Sequence, residues 1–420
     1  MGADVMSSTV KSLLAALPSL MAILFASSAA SGEIYHWVQY GLSGLEVRVI
    51  TEEAACPPAH VDDAPRNMSV RAEPAAHYPI RICTLLIPAE ARSVTISDIP
   101  VALPIADPRR IVLIGDTGCR LKGDYVQACN DPQQWPFRLI AEVVAHTKPD
   151  LVIHVGDYHY RETPCPAGNA GCAGSPFGDN WSVWRADFFA PADTLLKQAP
   201  WVFVRGNHEE CERGGQGWSR ALDPFPFDAE KGCNGGASPF AVRLPGVTLA
   251  VVDVATAREE KVDEAQAQAY REQYRSLAGL SVGPMWILQH RPIWSPGGRV
   301  AGKLVGDNKT LAAAATGVIP ENAALILSGH HHLFQVLTYQ AHLPIQIVAG
   351  NGGDYLNQGD LGDPASWIIN GVAVKGGLSS VGIFGFSMLE RQDDGWQLTS
   401  YDKLGRALNS CLLQGPVTTC

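Results

Sequence analysis

From residue 111 onward the chain alternates short, continuously apolar runs with segments of helical spacing, and five of the runs lead into a polar motif. The runs IVLIG (111–115), LVIHVG (151–156), WVFVRG (201–206), TLAVVD (248–253), MWILQH (285–290), ALILSG (324–329) and IQIVAG (345–350) have the length and composition of buried strands. WPFRLIAEVVAHT (135–147), WSVWRADFFAPADTLLKQA (181–199) and EEKVDEAQAQAYREQYRSLA (259–278) repeat their apolar residues with helical period. Strands alternating with helices predict an α/β domain. GIFGFSMLE (382–390) and GWQLTSYD (395–402) predict a closing β-hairpin. No internal repeat is evident.

The polar motifs are GDTG (115–118), GDYHY (156–160), GNHE (206–209), LQHRP (288–292) and GHHH (329–332). Ligands of open α/β sheets bind beyond the carboxyl ends of the strands, so all five should gather at one edge. Each alone is a weak signal, since Gly-Asp after a strand is usually a turn. Five together exceed what turn chemistry explains. Carboxylates, imidazoles, an amide oxygen and a phenol are harder donors than thiolate and suit iron, manganese or zinc. Asp157 can bridge two cations, and a metal pair can clamp a phosphoryl group. Side chains alternate along an extended chain. If GHHH leaves its strand extended, His330 and His332 face together and His331 faces away. The competing reading is a His-rich loop that binds nothing.

A chain of 420 residues, 46% hydrophobic and 18% charged, suits one large domain and a smaller one. The net charge of −10 argues against a basic nucleic-acid-binding surface. Lys11 precedes the apolar stretch LLAALPSLMAILFASSAA (13–30), with Ser28 and Ala30 at cleavage-compatible positions, so residues 1–30 read as an export signal. The signal predicts a secreted or periplasmic protein, with an uncleaved membrane anchor as the alternative; no other segment is long and apolar enough to cross a membrane. Ten cysteines and no CxxC pair favour disulfides over a zinc site. Pairing of sequence neighbours would close five short loops. LEVRVI, IRICTLLI and SVTISDI predict a small β-sandwich-like domain over 31–104, joined by the Pro-rich VALPIADPRR (101–110) to a domain over 108–402. A tail, 403–420, would be stapled by Cys411 and Cys420.

The motif order GDTG, GDYHY, GNHE, ILQH, GHHH resembles the calcineurin-like metallophosphoesterases, and within them the purple acid phosphatases, over roughly residues 108–390. The resemblance implies a metallophosphoesterase β-sandwich flanked by helices. The preceding all-β segment is similar in position to the fibronectin-like domain of the larger members. By the same resemblance Asp116, Asp157, Tyr160 and His332 hold one metal, and Asp157, Asn207, His290 and His330 hold the other. Most relatives carry a His where this chain has Gly118. Tyr160 stands where the purple phosphatases supply a tyrosinate, which implies Fe(III) there and Fe, Zn or Mn at the second site. The implied chemistry is hydrolysis of a small phosphate monoester by a metal-activated hydroxide, with His208 protonating the leaving oxygen or binding phosphate. Asn207, His208 and Arg291 are the candidate phosphate contacts.

The chain departs from that family after its fourth motif, where HRPIWSPGGRVAGKLVG lacks further histidines and leaves Arg291 or Arg299 to meet phosphate. Phe334 and Gln335 replace a tyrosine and an arginine. His154 reads as a core residue or as one that supports a metal ligand from behind, and the role of His159 stays open. Trp294 either packs or borders the pocket. The Gly-rich stretch 161–181 suits a lid. Gly350 to Asp354 form either a tight turn near the site or a hairpin turn. A phosphodiesterase or nucleotide pyrophosphatase is the alternative enzyme, and a non-catalytic surface binding protein the alternative of another class.

Overall fold

The structure, a computed structural model, describes residues 34–414 and 417–420. The expected export signal lies outside them. The described residues form one compact unit built on two large sheets, one of eleven strands and one of eight. Strands Arg110–Ile114, Leu151–His154 and Trp201–Phe203 run parallel in the first sheet. Val247–Val251, Met285–Leu288, Ala323–Ser328 and Ile345–Ala349 run parallel in the second.

Strand periodicity explains the layers. Ile111, Leu113 and Ile153 of the first sheet face Leu249, Trp286, Leu288, Leu325 and Leu327 of the second in one shared core. The alternate residues Val112, Ile114 and Val152 face outward onto helices. Ala250, Ile287 and Ile326 do the same on the opposite side. Strands buried on both faces read as continuous apolar runs, which is why no alternation marks them in the sequence. The result is the expected sandwich of two sheets flanked by helices, and it sets the carboxyl ends of the parallel strands along one rim.

The helices follow their apolar spacing. Phe137–His146 buries Phe137, Ile140, Ala141 and Val144. The helix predicted over 259–278 begins later, at Glu264, because the Asp263 carboxylate caps the Gln266 N–H at 3.1 Å. Residues 259–262 are therefore loop. The segment 181–199 divides into Trp181–Trp184, a π-helical turn Arg185–Phe189, and Ala190–Leu196. Pro191 has no N–H to offer the carbonyl of Asp187 four residues earlier, and the turn widens there.

The boundary expected near residue 104 is not where the chain divides. Tyr35–Gly41 pairs parallel with Trp201–Phe203, with Gln39 opposite Trp201. Gly44–Thr51, Arg81–Leu86 and Ser69–Ala72 continue the same eleven-stranded sheet. Tyr35 and Trp37 share a core with Phe188 and Phe189, so burying those aromatics requires the N-terminal strands. Ala59–Val61, Ala64–Arg66, Val94–Ile96 and Ile99–Pro100 form a four-stranded sheet beside them. The C-terminal hairpin forms between Gly385–Gln392 and Gly395–Asp402. Ala407–Gln414, expected as tail, adds a further strand. All five disulfides join sequence neighbours: Cys56–Cys83, Cys119–Cys129, Cys165–Cys172, Cys211–Cys233 and Cys411–Cys420.

Candidate metal centre

The five motifs meet at the rim. Asp157 lies at the middle, fully buried. Its Oδ2 accepts from the Tyr160 hydroxyl at 2.8 Å and lies 3.1 Å from His290 Nε2. Its Oδ1 accepts from the His208 backbone N–H at 2.8 Å. On one side Tyr160 Oη is 3.0 Å from Asp116 Oδ1 and 3.2 Å from His332 Nε2. On the other, His290 Nε2 is 3.1 Å from Asn207 Oδ1. The ligand atoms of Asp157, His290 and His330 lie within 4.8 Å of one another.

The backbone is bent to achieve this. Asp116, Asp157 and His330 adopt φ of 56°, 62° and 69°, a left-handed conformation that costs a side-chain-bearing residue about 1 kcal/mol or more and clusters at functional sites. The turn at His330 also corrects the expectation of an extended GHHH segment. His331 N–H donates to Gly329 O and Leu333 N–H to His331 O, both at 2.8 Å, so the chain turns sharply twice. His330 and His332 still end up at the site. His331 points away, with Nε2 2.9 Å from Gly306 O and Nδ1 3.3 Å from Ser295 Oγ.

The donor set fits cations. His290 Nδ1 donates to Val155 O at 2.8 Å, which leaves Nε2 facing two oxygens, of Asn207 and Asp157, that only accept. A positive charge is needed between them. Burial opposes protonation of His290, yet Asp157 raises its pKa to about 9; a metal ion would answer the same field. Tyr160 is pushed well above 10 by burial and by the charges of Asp116 and Asp157. Its single proton faces two carboxylates. His332 Nδ1 is fixed by Tyr355 O at 2.7 Å, leaving Nε2 toward the site.

Several residues that the motifs did not single out hold this arrangement. The buried Glu209 carboxylate accepts from four backbone N–H groups, of Asp157, Tyr158, His159 and Gly206, at 2.8–3.1 Å. Asp187, turned inward by the π-helical turn, accepts from the N–H groups of Cys119, Tyr160 and Arg161 and from Arg161 Nε. Arg120 lies 4.8 Å over the Tyr160 ring and pairs with Asp354, whose Oδ2 is 3.4 Å from His332 Nε2. The segment from Gly350 to Asp354 runs against Asp116 rather than forming a hairpin turn, since Asp354 N–H donates to Asp116 O at 2.9 Å. Glu259 Oε1 lies 2.6 Å from His330 Nε2. Glu209 was visible in its motif and Asp354 in the Gly-rich segment 350–354; Glu259 and Asp187 had no local signal.

The other candidates are placed as follows. The His208 ring lies 3.7 Å from the Tyr160 ring, with Nδ1 2.7 Å from Glu162 Oε1 and Nε2 3.9 Å from Asp157 Oδ2. Arg213 pairs with Glu162 and reaches the same ring. Arg291 stands beside His330, but its guanidinium is bound to Glu259 at 2.6 Å and to Ala255 O at 3.0 Å. Arg299 is bound to Gly302 O and Leu361 O. His154 stacks on Tyr158 in the core on the first sheet's outer side, and Trp294 packs beside Tyr339 in the core on the opposite side. His159 Nε2 lies 3.1 Å from Gly178 O in the stretch expected as a lid.

Residues 109–334, more than half of the chain, match the family model of the calcineurin-like phosphoesterases. Among solved structures, the purple acid phosphatase PPD1 from yellow lupin seeds superposes with a TM-score of 0.57 at 13% identity, covering 90% of this chain and 74% of that one. PhoD superposes with a TM-score of 0.52 at 11% identity, covering 92% and 91%. At such identities the likeness is one of fold. Comparison with curated protein sequences finds no match.

Proposed function

The chain belongs to the calcineurin-like phosphoesterases, and from that premise we propose that it is an exported, acid-phosphatase-like enzyme that hydrolyses small phosphate monoesters at a binuclear metal centre. The position of Asp157, within hydrogen-bond reach of both Tyr160 and His290, carries the reading. It would hold one ion with Asp116, Tyr160 and His332, and the other with Asn207, His290 and His330. When bound, the cations supply Lewis acidity toward phosphoryl oxygen and lower the pKa of water. A phenolate donor favours Fe(III) on the Tyr160 side; Fe, Zn or Mn suits the imidazole-rich side.

The chain's own groups then position and protonate. Asn207 and His208 face the centre where phosphate would sit. Glu162 holds His208 through Nδ1, while Nε2 lies 2.7 Å from Arg213 Nη2 and 3.9 Å from Asp157 Oδ2. Burial keeps the His208 pKa well below that of free imidazole, against the pull of Asp157 and Glu162. As a proton donor to the leaving oxygen the ring therefore serves at acid pH. Arg291 would reach phosphate only by releasing Glu259. Five disulfides agree with an oxidising compartment outside the cytoplasm, and no helix among the described residues is long and apolar enough to cross a membrane.

Steady-state rates on p-nitrophenyl phosphate and on its bis-ester test the proposal. A higher kcat/KM for the monoester supports it. A rate on the diester that equals or exceeds it transfers the site to phosphodiester chemistry, and no hydrolysis of either by metal-loaded protein leaves a binding role.

A further inference from the structure

Glu259 sits in the loop between Val247–Val251 and the helix Glu264–Ser276, outside every motif. Its Oε1 lies 2.6 Å from His330 Nε2 and, from another direction, 2.6 Å from Arg291 Nη1. With Nε2 donating to that oxygen, His330 retains Nδ1 as its only lone pair, on a ring grouped with Asp157 and His290. The loop is fixed before any ligand arrives. Lys309 N–H donates to Glu259 O at 3.1 Å, Thr310 Oγ1 donates to Lys261 O at 3.1 Å, and Gln266 Oε1 accepts from Arg258 N–H at 2.9 Å. These bonds hold the loop backbone at Arg258, Glu259 and Lys261.

We propose that Glu259 is a positioning residue of the metal centre, fixing the His330 ring so that Nδ1 faces the second cation, and that Arg291 weakens this action by sharing the same carboxylate oxygen. The proposal rests on the binuclear reading above. A carboxylate on the far nitrogen of a ligating imidazole fixes its tautomer and raises its basicity. Arg291 acts the other way. Its Nη1 lies 3.2 Å from His330 Nε2, so two donors compete for one acceptor and a fixed positive charge stands beside a metal ligand. The alternative is that Glu259 and Arg291 form only a structural ion pair between the loops. The two ideas differ in sign. A structural pair loses metal when either partner is removed; a positioning carboxylate opposed by Arg291 loses metal only when Glu259 is removed.

The test titrates zinc alone into metal-stripped, full-length protein and measures bound metal per chain. Wild type, Glu259→Gln, Glu259→Ala and Arg291→Ala are compared, with thermal unfolding of the stripped proteins as the control for folding. We expect two sites in wild type. In both Glu259 variants one of them should weaken roughly 10–100-fold, the usual effect of removing such an outer partner. Arg291→Ala should bind at least as tightly as wild type. Wild type with fewer than two sites would overturn the binuclear reading itself. Two wild-type sites with unchanged affinity in Glu259→Gln and Glu259→Ala would overturn this proposal alone. Equal losses in Glu259→Ala and Arg291→Ala would assign the pair to structure instead.

Discussion

A Cβ atom on Gly118 would lie 2.9 Å from Cδ2 of the Tyr160 ring and closer still to the carbonyl oxygen of Tyr158. The Tyr158 carbonyl and the Tyr160 ring together fill the space that a side chain at 118 would need. The missing histidine and the added tyrosine are thus two sides of one packing choice. Gly118→Ala should destabilise the protein by about 1–3 kcal/mol, the usual cost of overpacking, and should lower metal content by moving Tyr160. Urea unfolding with metal analysis checks both; a neutral substitution would mean that the ring and the Tyr158 carbonyl both move aside freely.

Tyr160 must lose its proton to ligate. Burial, then Asp116 and Asp157, hold that proton well above the ordinary phenol range, so metal binding should release it and affinity should rise with pH. Tyr160→Phe should release one proton fewer per metal-loaded chain, measured calorimetrically in buffers of different ionisation enthalpy. If the metal is Fe(III), the wild-type protein should show a visible charge-transfer band that the variant lacks.

Glu209→Gln keeps the shape but replaces one accepting oxygen by an NH₂ group facing two backbone donors. Two N–H groups among those of Asp157, Tyr158, His159 and Gly206 would lose their acceptor. Each buried unsatisfied donor costs about 1–3 kcal/mol, so the variant should unfold at distinctly lower urea concentration. An unchanged midpoint would show that water replaces the carboxylate.

Asp223 is buried beside Arg48 and Arg71, and burial raises its pKa to about 6 against the pull of those two. The folded pKa lies above the unfolded value near 3.9. The stabilising, protonated form is therefore present below pH 4 and is lost as pH rises through 6. Its Oδ1 accepts from Phe225 N–H at 3.0 Å, which an amide oxygen can replace. Asp223→Asn should be neutral at pH 4 and stabilising by roughly 1–3 kcal/mol at pH 8. A melting-temperature difference that stays constant with pH would contradict the assignment.

The strands and the donor-bearing motifs were legible in sequence because they are local. A run such as LVIHVG carries its own burial, and GDYHY carries its own donors. Groups that act across the fold were not legible. Glu259 reads as the start of an amphipathic helix until Asp263 caps it, and only the fold brings it to His330, 71 positions later in the chain. Asp187 falls in a segment that reads as one helix until Pro191 widens the turn. The union of Tyr35–Gly41 with the catalytic sheet depends on one parallel pairing, Gln39 with Trp201, that no turn or spacing announces. An extended GHHH segment would set His330 and His332 on one side; the left-handed turn at His330 instead brings His330 beside Asp157 and His290, and His332 beside Tyr160.

The central claim is that one carboxylate, Asp157, serves two metal ions. Metal bound per chain, measured by mass spectrometry on wild type, Asp157→Ala, His330→Ala, His331→Ala and His332→Ala, tests it most directly. Two ions are expected in wild type and in His331→Ala, about one in His330→Ala and in His332→Ala, and almost none in Asp157→Ala. A single ion in wild type, or an Asp157→Ala protein that keeps as much metal as His332→Ala, would contradict the account.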